Sequence, residues 1–305
     1  MNLIGVMSSS RFWRSLPAVV LAASLAACQT AGGPSQSGAP SGQAAAVQTA
    51  SLPVVSYAPA TAQERGFSAL VLNAATGQEL YAVNADAPRF PASLTKMMTL
   101  YMLFESVSSG ENRLSSPLNV SAKAASQPPA KIGLKAGSTI TVEQAARALA
   151  VKSANDVGVA VAENLAGSEA AFAREMTQKA RALGLSRTRF VNATGLPDPA
   201  QVTTARDMAK LGLALKRRFP QYASYYRAQS FTYNGRSFRA TNNLLGKVQG
   251  VDGLKTGYIR MSGYNLVATA RRGGKQLIVV VMGGQSEAAR DAEVTRLIEA
   301  HFPAG

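Results

Sequence analysis

The chain has one histidine and one cysteine in 305 residues, and both shortages restrict its chemistry. A Ser-His-Asp triad would have to recruit His301, at the far C-terminal end, which disfavours that arrangement. A histidine-based zinc site lacks ligands, and a lone Cys28 allows neither an internal disulfide nor a cysteine-rich metal site. No metal or cofactor is therefore expected, and any catalysis has to run on Ser, Thr, Tyr, Lys, Arg and carboxylates. Acids are scarce as well: 17 Asp and Glu stand against 32 Lys and Arg, a formal net charge of +15. Such a surface suits nucleic acid, anionic lipid or an anionic polymer, or serves solubility alone. No aromatic–basic platform of the single-strand-binding kind is evident, so nucleic acid is not an expected partner. With 47% hydrophobic residues, the chain can build one large core or two small ones.

Charge is missing altogether from residue 15 to residue 63. Arg11 and Arg14 precede the apolar "LPAVVLAASLAA", which is short for a membrane span and reads as an export signal over residues 1–27. The stretch ends in "LAAC", Leu25 to Cys28, which resembles the lipobox of bacterial lipoproteins. That resemblance implies cleavage before Cys28, acylation of its sulfur and a membrane anchor, and Gln29 by analogy suits outer-membrane sorting. An ordinary secretory signal is the alternative. Residues 28–63 are rich in Gly, Ser, Pro, Ala and Gln, too polar and small to order themselves, and read as a flexible tether. A random coil of that length spans roughly 30–35 Å, enough to carry an anchored domain into a polymer layer. Without the leader the charge would be about +13.

The folded domain is expected over residues 64–305. "GFSALVLNAATGQELYAVN" and "YNLVATARRGGKQLIVVVMGG" each give two apolar runs around a glycine-containing turn, the pattern of β-hairpins. Between them, helical patterns cover residues 94–108, 142–151, 156–166, 168–184 and 204–218. A last amphipathic helix begins at Ser286, a plausible N-cap followed by acids, and ends at His301. Strands at both ends with helices between predict a sheet assembled from chain-distant pieces, with a helical lobe inserted.

Three short motifs carry chemistry. In "FPASLTKMMTLYMLF", Ser93 and Lys96 would lie one turn apart on one face of a helix whose following residues are apolar on all sides. Burial would strip hydration from the Lys96 ammonium and make a neutral amine available as a base, while the helix N-terminus favours an oxyanion at Ser93. The competing reading is plain: Ser93 caps the helix and Lys96 reaches to solvent. "KSAND" places Ser153 and Asn155 between two helices, where they could relay a proton and hold an amide, or simply begin a helix. "VDGLKTGYIR" reads as a strand, and period two puts the Lys255 side chain and the bare Gly257 on one face. There the glycine would leave room for a substrate backbone at the strand edge, and Lys255 would offer charge to a carboxylate.

Each motif occurs once, in that order, 60 and then 102 positions apart. Together they resemble the active-site serine DD-peptidases and class A β-lactamases. "TGLPDPAQVTTARDMAKL" and the C-terminal hairpin are similar to the D-alanyl-D-alanine carboxypeptidases, the low-molecular-mass penicillin-binding proteins, over about residues 64 to 302. The resemblance implies an α+β fold, a mainly antiparallel sheet flanked by helices with an all-helical lobe inserted. It implies an acyl-enzyme mechanism on peptidoglycan stem peptides, with β-lactams as covalent inhibitors. Ser93 would be the nucleophile, Lys96 its base and Ser153 a proton shuttle to the departing D-alanine. Asn155 would hold the acyl side, and Lys255, Thr256 and Arg290 would bind the terminal carboxylate. The backbone amides of Ser93 and Tyr258 would form the oxyanion hole.

Three rivals remain. A class A β-lactamase needs an E-x-x-L-N glutamate after the second motif, yet no glutamate lies between Glu175 and Glu287. A DD-endopeptidase would use the same residues on cross-linked D-alanyl bonds, and the expected lack of a C-terminal β domain after the last helix resembles such shorter members. An idle wall-binding lipoprotein fits poorly with three intact motifs.

Overall fold

The computed structural model describes residues 66–302; the expected export signal, Cys28 and the tether lie outside the described residues. The first hairpin forms as β1 (Ser68–Asn73) and β2 (Glu79–Val83). A 3-10 turn over Ala92–Thr95 then feeds α1 (Lys96–Ser108). There follow β3 (Pro117–Asn119), α2 (Ala122–Ala125), β4 (Thr139–Thr141), α3 (Val142–Val151), α4 (Asn155–Ala166), α5 (Glu169–Ala182) and α6 (Ala205–Arg218). The chain continues through α7 (Ala223–Arg227), β5 (Ser230–Tyr233) and β6 (Arg236–Arg239). It closes with β7 (Val251–Ile259), β8 (Gly263–Arg272), β9 (Lys275–Gly284) and α8 (Glu287–His301).

The central sheet has five strands in the order β2-β1-β9-β8-β7, with every pairing antiparallel. The N-terminal hairpin thus joins the C-terminal one through β1 and β9, as the strand pattern at the two ends predicts. Alternate residues of β9 enter different cores. Ile278, Val280 and Met282 pack with α1 and α6, whereas Leu277, Val279 and Val281 pack under Val294, Leu297 and Ile298 of α8. Burial on both faces explains why "LIVVVM" is apolar without alternation.

Helix α1 runs through the larger core with Met97, Met98, Leu100, Leu103 and Phe104 fully enclosed, the burial its all-round apolarity predicts. The inserted lobe is not wholly helical. It also carries two short antiparallel ladders, β3–β4 and β5–β6; alternation over three or four residues, as in the "SFTY" of β5, is too short a run to stand out in the sequence. The two edges of the main sheet are β2 and β7, and β7 carries the third motif.

Candidate active site

Ser93 does not cap a helix. It sits inside the 3-10 turn, and α1 begins three residues later with Thr95 as an N-cap that makes no side-chain hydrogen bond. The Ser93 side chain is instead half-buried and hydrogen-bonded to Lys96 Nζ at 3.1 Å. Lys96 does not reach solvent either; it is completely buried. Its ammonium form donates to Ser93 Oγ, to Asn155 Oδ1 at 2.8 Å and to the Thr194 carbonyl at 2.5 Å. Two of those partners can only accept, so a neutral amine keeps its two N–H groups on them. Its lone pair is then left facing Ser93 Oγ. Burial, and after it the positive charge of Lys255, hold Lys96 well below the usual lysine range, against the opposing pull of Asp156.

The backbone around Ser93 is forced into place. Ala92, directly before Ser93, has φ +49°, a left-handed conformation that costs a non-glycine residue about 1–2 kcal/mol. Gly195 presses against it: a Cβ there would stand 1.8 Å from the Ala92 carbonyl oxygen and 2.8 Å from the Ser93 amide nitrogen. Gly257 of β7 approaches from the other side, and a Cβ on it would lie 3.1 Å from the Ser93 nitrogen. The expected reason for that glycine, space for a substrate backbone, is therefore incomplete; it also lets β7 touch the turn that carries Ser93.

Ser153 has φ +62°, and its buried Oγ has no hydrogen-bond partner among the described residues. Ala154, not Ser153, is the N-cap of α4, so the Ser153 hydroxyl is not spent on capping. Asn155 is largely occupied: besides Lys96 on Oδ1, its Nδ2 donates to the Pro128 carbonyl at 3.0 Å, leaving one N–H. The next residue, Asp156, is fully buried and accepts from the backbone amides of Ile132, Gly133, Leu134 and Val157. Those bonds pin the loop carrying Pro129 and Ala130 over α4.

Ser93, Ser153, Asn155, Thr256, Gly257, Tyr258 and Arg290 all line one cleft of about 360 Å³. Lys96 and Lys255 lie behind its wall. Lys255 is 1% exposed and donates from Nζ to the Thr256 carbonyl at 2.9 Å, so in this arrangement it does not offer the cleft a direct carboxylate contact. Burial, and then Arg290, push Lys255 down to about 7. On the cleft side Thr256 Oγ1 pairs with Thr241 Oγ1 at 2.7 Å. Tyr258 is half exposed and packs on Tyr264, with ring centroids 4.2 Å apart. Arg290 is 2% exposed, and its guanidinium donates to Asp291 Oδ1 at 2.6 and 2.9 Å. His301 bonds the Leu297 carbonyl within α8 and does not line the cleft.

Sequence reading missed four contributors: the Thr194 carbonyl, Gly195, Thr241 and Glu287. The first two sit in "NATGLPD", of which only the part from Thr194 onward is quoted above, for its resemblance alone. A backbone carbonyl and a glycine contact leave no side-chain chemistry to read. Thr241 and Glu287 become visible only once the cleft exists.

The family model described as D-alanyl-D-alanine carboxypeptidase matches residues 55–286. The Escherichia coli D-alanyl-D-alanine carboxypeptidase DacA is 38% identical over 238 residues, which cover 76% of this chain and 59% of that protein. DacF of Bacillus subtilis is 34% identical over 239 residues, covering 77% of this chain and 61% of the relative. The chain thus spans about three fifths of the length of these relatives. Among solved structures, penicillin-binding protein 5 of Haemophilus influenzae superposes with a TM-score of 0.75 at 33% identity, covering 77% of this chain and 70% of that one. A Listeria monocytogenes penicillin-binding protein, solved in its ampicillin-bound form, gives 0.68 at 32% identity, with 77% of this chain and 96% of that chain covered. A catalytic lysine candidate buried against a serine, on a fold and a sequence shared this widely, has one family placing: the chain belongs to the D-alanyl-D-alanine carboxypeptidase family.

Proposed function

We propose that the cleft is the active site of a serine DD-carboxypeptidase that removes the terminal D-alanine from peptidoglycan stem pentapeptides. The observation that carries this reading is the fully buried Lys96 amine, 3.1 Å from Ser93 Oγ, with its other two bonds fixed by acceptors. Neutral Lys96 takes the Ser93 proton as Oγ attacks the carbonyl carbon of the penultimate D-alanine. The backbone amides of Ser93 and Tyr258 meet the oxyanion. The C–N bond then breaks, and the D-alanine amine leaves with the proton, passed from Lys96 by way of the unpartnered Ser153 hydroxyl. Water attacks the Ser93 ester with Lys96 again as base, releasing the shortened peptide. A positioned base of this kind contributes typically about 10²–10⁴ in rate. Thr256, backed by Thr241, and Arg290 are assigned to the terminal carboxylate, with the buried Lys255 adding positive potential behind them.

A β-lactam would be opened by the same attack. Its ring nitrogen stays tethered to the adduct, so the acyl-enzyme persists. Export, acylation of Cys28 and a tethered place at a membrane facing the cell wall complete the proposal, supported by the "LAAC" sequence and the charge-free segment after it.

A labelled penicillin tests the site. Covalent labelling of the protein, lost in Ser93→Ala, is the expected result; no label, or a label that survives the substitution, refutes it. Release of free D-alanine from a pentapeptide muropeptide tests the reaction, and cleavage of cross-linked dimers without that release refutes it.

A further inference from the structure

The carboxylate end of the cleft is already occupied by carboxylates. Glu287, the first residue of α8, lines the cleft with a side chain 52% exposed, and its Oε1 lies 3.4 Å from Arg290 Nη2. Asp291 holds the same guanidinium from outside the cleft lining. Asn243 Nδ2 donates to both acids, at 3.0 Å to Glu287 Oε1 and 3.3 Å to Asp291 Oδ2, which keeps the pair beside the arginine. Two carboxylates therefore face one guanidinium where an incoming carboxylate is to be bound. Of the two, Glu287 is the one a ligand meets.

We propose that Glu287 is a specificity-determining residue: it competes with an incoming carboxylate for Arg290. It thereby lowers the preference for substrates that end in a free carboxylate over those whose leaving group is neutral. The free-carboxylate peptide stays the better substrate, but its advantage over an acyl-D-alanyl amide whose amine portion carries no carboxylate is narrowed. This rests on the reading of the cleft as a D-alanyl-D-alanine site. A charge at Glu287 also suits the positive end of α8, but that role predicts only a loss of stability on substitution and the same change for every substrate. Competition predicts a change in the ratio between substrates. Removing a partly exposed charge at this distance should shift that ratio by roughly three- to ten-fold.

The test compares kcat/KM for an acyl-D-alanyl-D-alanine peptide with that for the same peptide ending in D-alaninamide, in the full-length protein, Glu287→Gln and Glu287→Ala. The expected result is a carboxylate-to-amide ratio raised roughly three- to ten-fold in both variants, since both remove the charge. An unchanged ratio, or equal changes on both substrates, overturns the role of Glu287 while leaving the site reading intact. Failure of the unsubstituted protein to hydrolyse either peptide, together with failure to take up labelled penicillin, overturns both.

Discussion

Replacing Gly195 by alanine is the sharpest test of how Ser93, the proposed nucleophile, is held. The added Cβ would sit 1.8 Å from the Ala92 carbonyl oxygen and 2.3 Å from the carbonyl carbon. Ordinary contact between such atoms is about 3.5 Å, so something must move by roughly 1.5 Å. The obstacle is backbone on both sides, not the end of a flexible side chain. Gly195 also has φ +83°, where a side chain adds about 1–2 kcal/mol of its own. Overpacking typically costs about 1–3 kcal/mol more, so a loss of roughly 2–5 kcal/mol is expected. In a domain of this size that lowers Tm by roughly 4–20 °C.

The larger effect should fall on chemistry, because the segment pushed is the one bearing Ser93. Its neighbour Thr194 also holds the Lys96 amine. A displacement near 1 Å can cost about 10² in rate, so penicillin acylation should slow by at least about that factor. The assay is the second-order acylation rate, measured well below the variant's Tm. Acylation at the unsubstituted rate would refute the claim that Gly195 sets the turn bearing Ser93. Gly257→Ala provides the graded comparison. Its Cβ would stand 3.0 Å from the Pro91 oxygen, which needs a yield of only a few tenths of an ångström. The loss there should stay within about tenfold.

Asn155→Asp puts a carboxylate where Oδ1 now accepts from Lys96 at 2.8 Å. The opposite charge raises the lysine pKa, so acylation at neutral pH should fall by roughly 10–10³-fold and recover as pH rises; a loss that ignores pH would contradict this. Lys255, pushed down to about 7 in the folded protein, makes the unfolded chain the stronger proton binder between pH 7 and about 10. Stability should therefore rise with pH across that window, by up to about 1.4 kcal/mol per unit from this group. In denaturant melts at pH 7, 8 and 9, Lys255→Met should remove that part of the slope, and an unchanged slope would contradict the burial argument.

Much of this was legible in the sequence. Periodicity determined the two hairpins, the longer helices between them and the buried course of α1, because side-chain alternation is a local consequence of which face meets a core; the one-turn helices α2 and α7 were too short to read. Histidine and cysteine shortage directed attention to Lys96, and motif order joined three segments into one expected site. The sequence left open whether Ser93 caps a helix and Lys96 reaches solvent, and only tertiary structure removed that reading. The Lys96 amine has no water to reach, and its partners come from α4 and from the "NATGLPD" segment. Tertiary structure also moved Lys255 behind the cleft wall, set Gly195 and Gly257 against the turn bearing Ser93, and placed Glu287 beside Arg290. None of these is a property of a residue and its sequence neighbours. Each follows from how closely segments far apart in the chain approach one another, and that is decided only when the core closes.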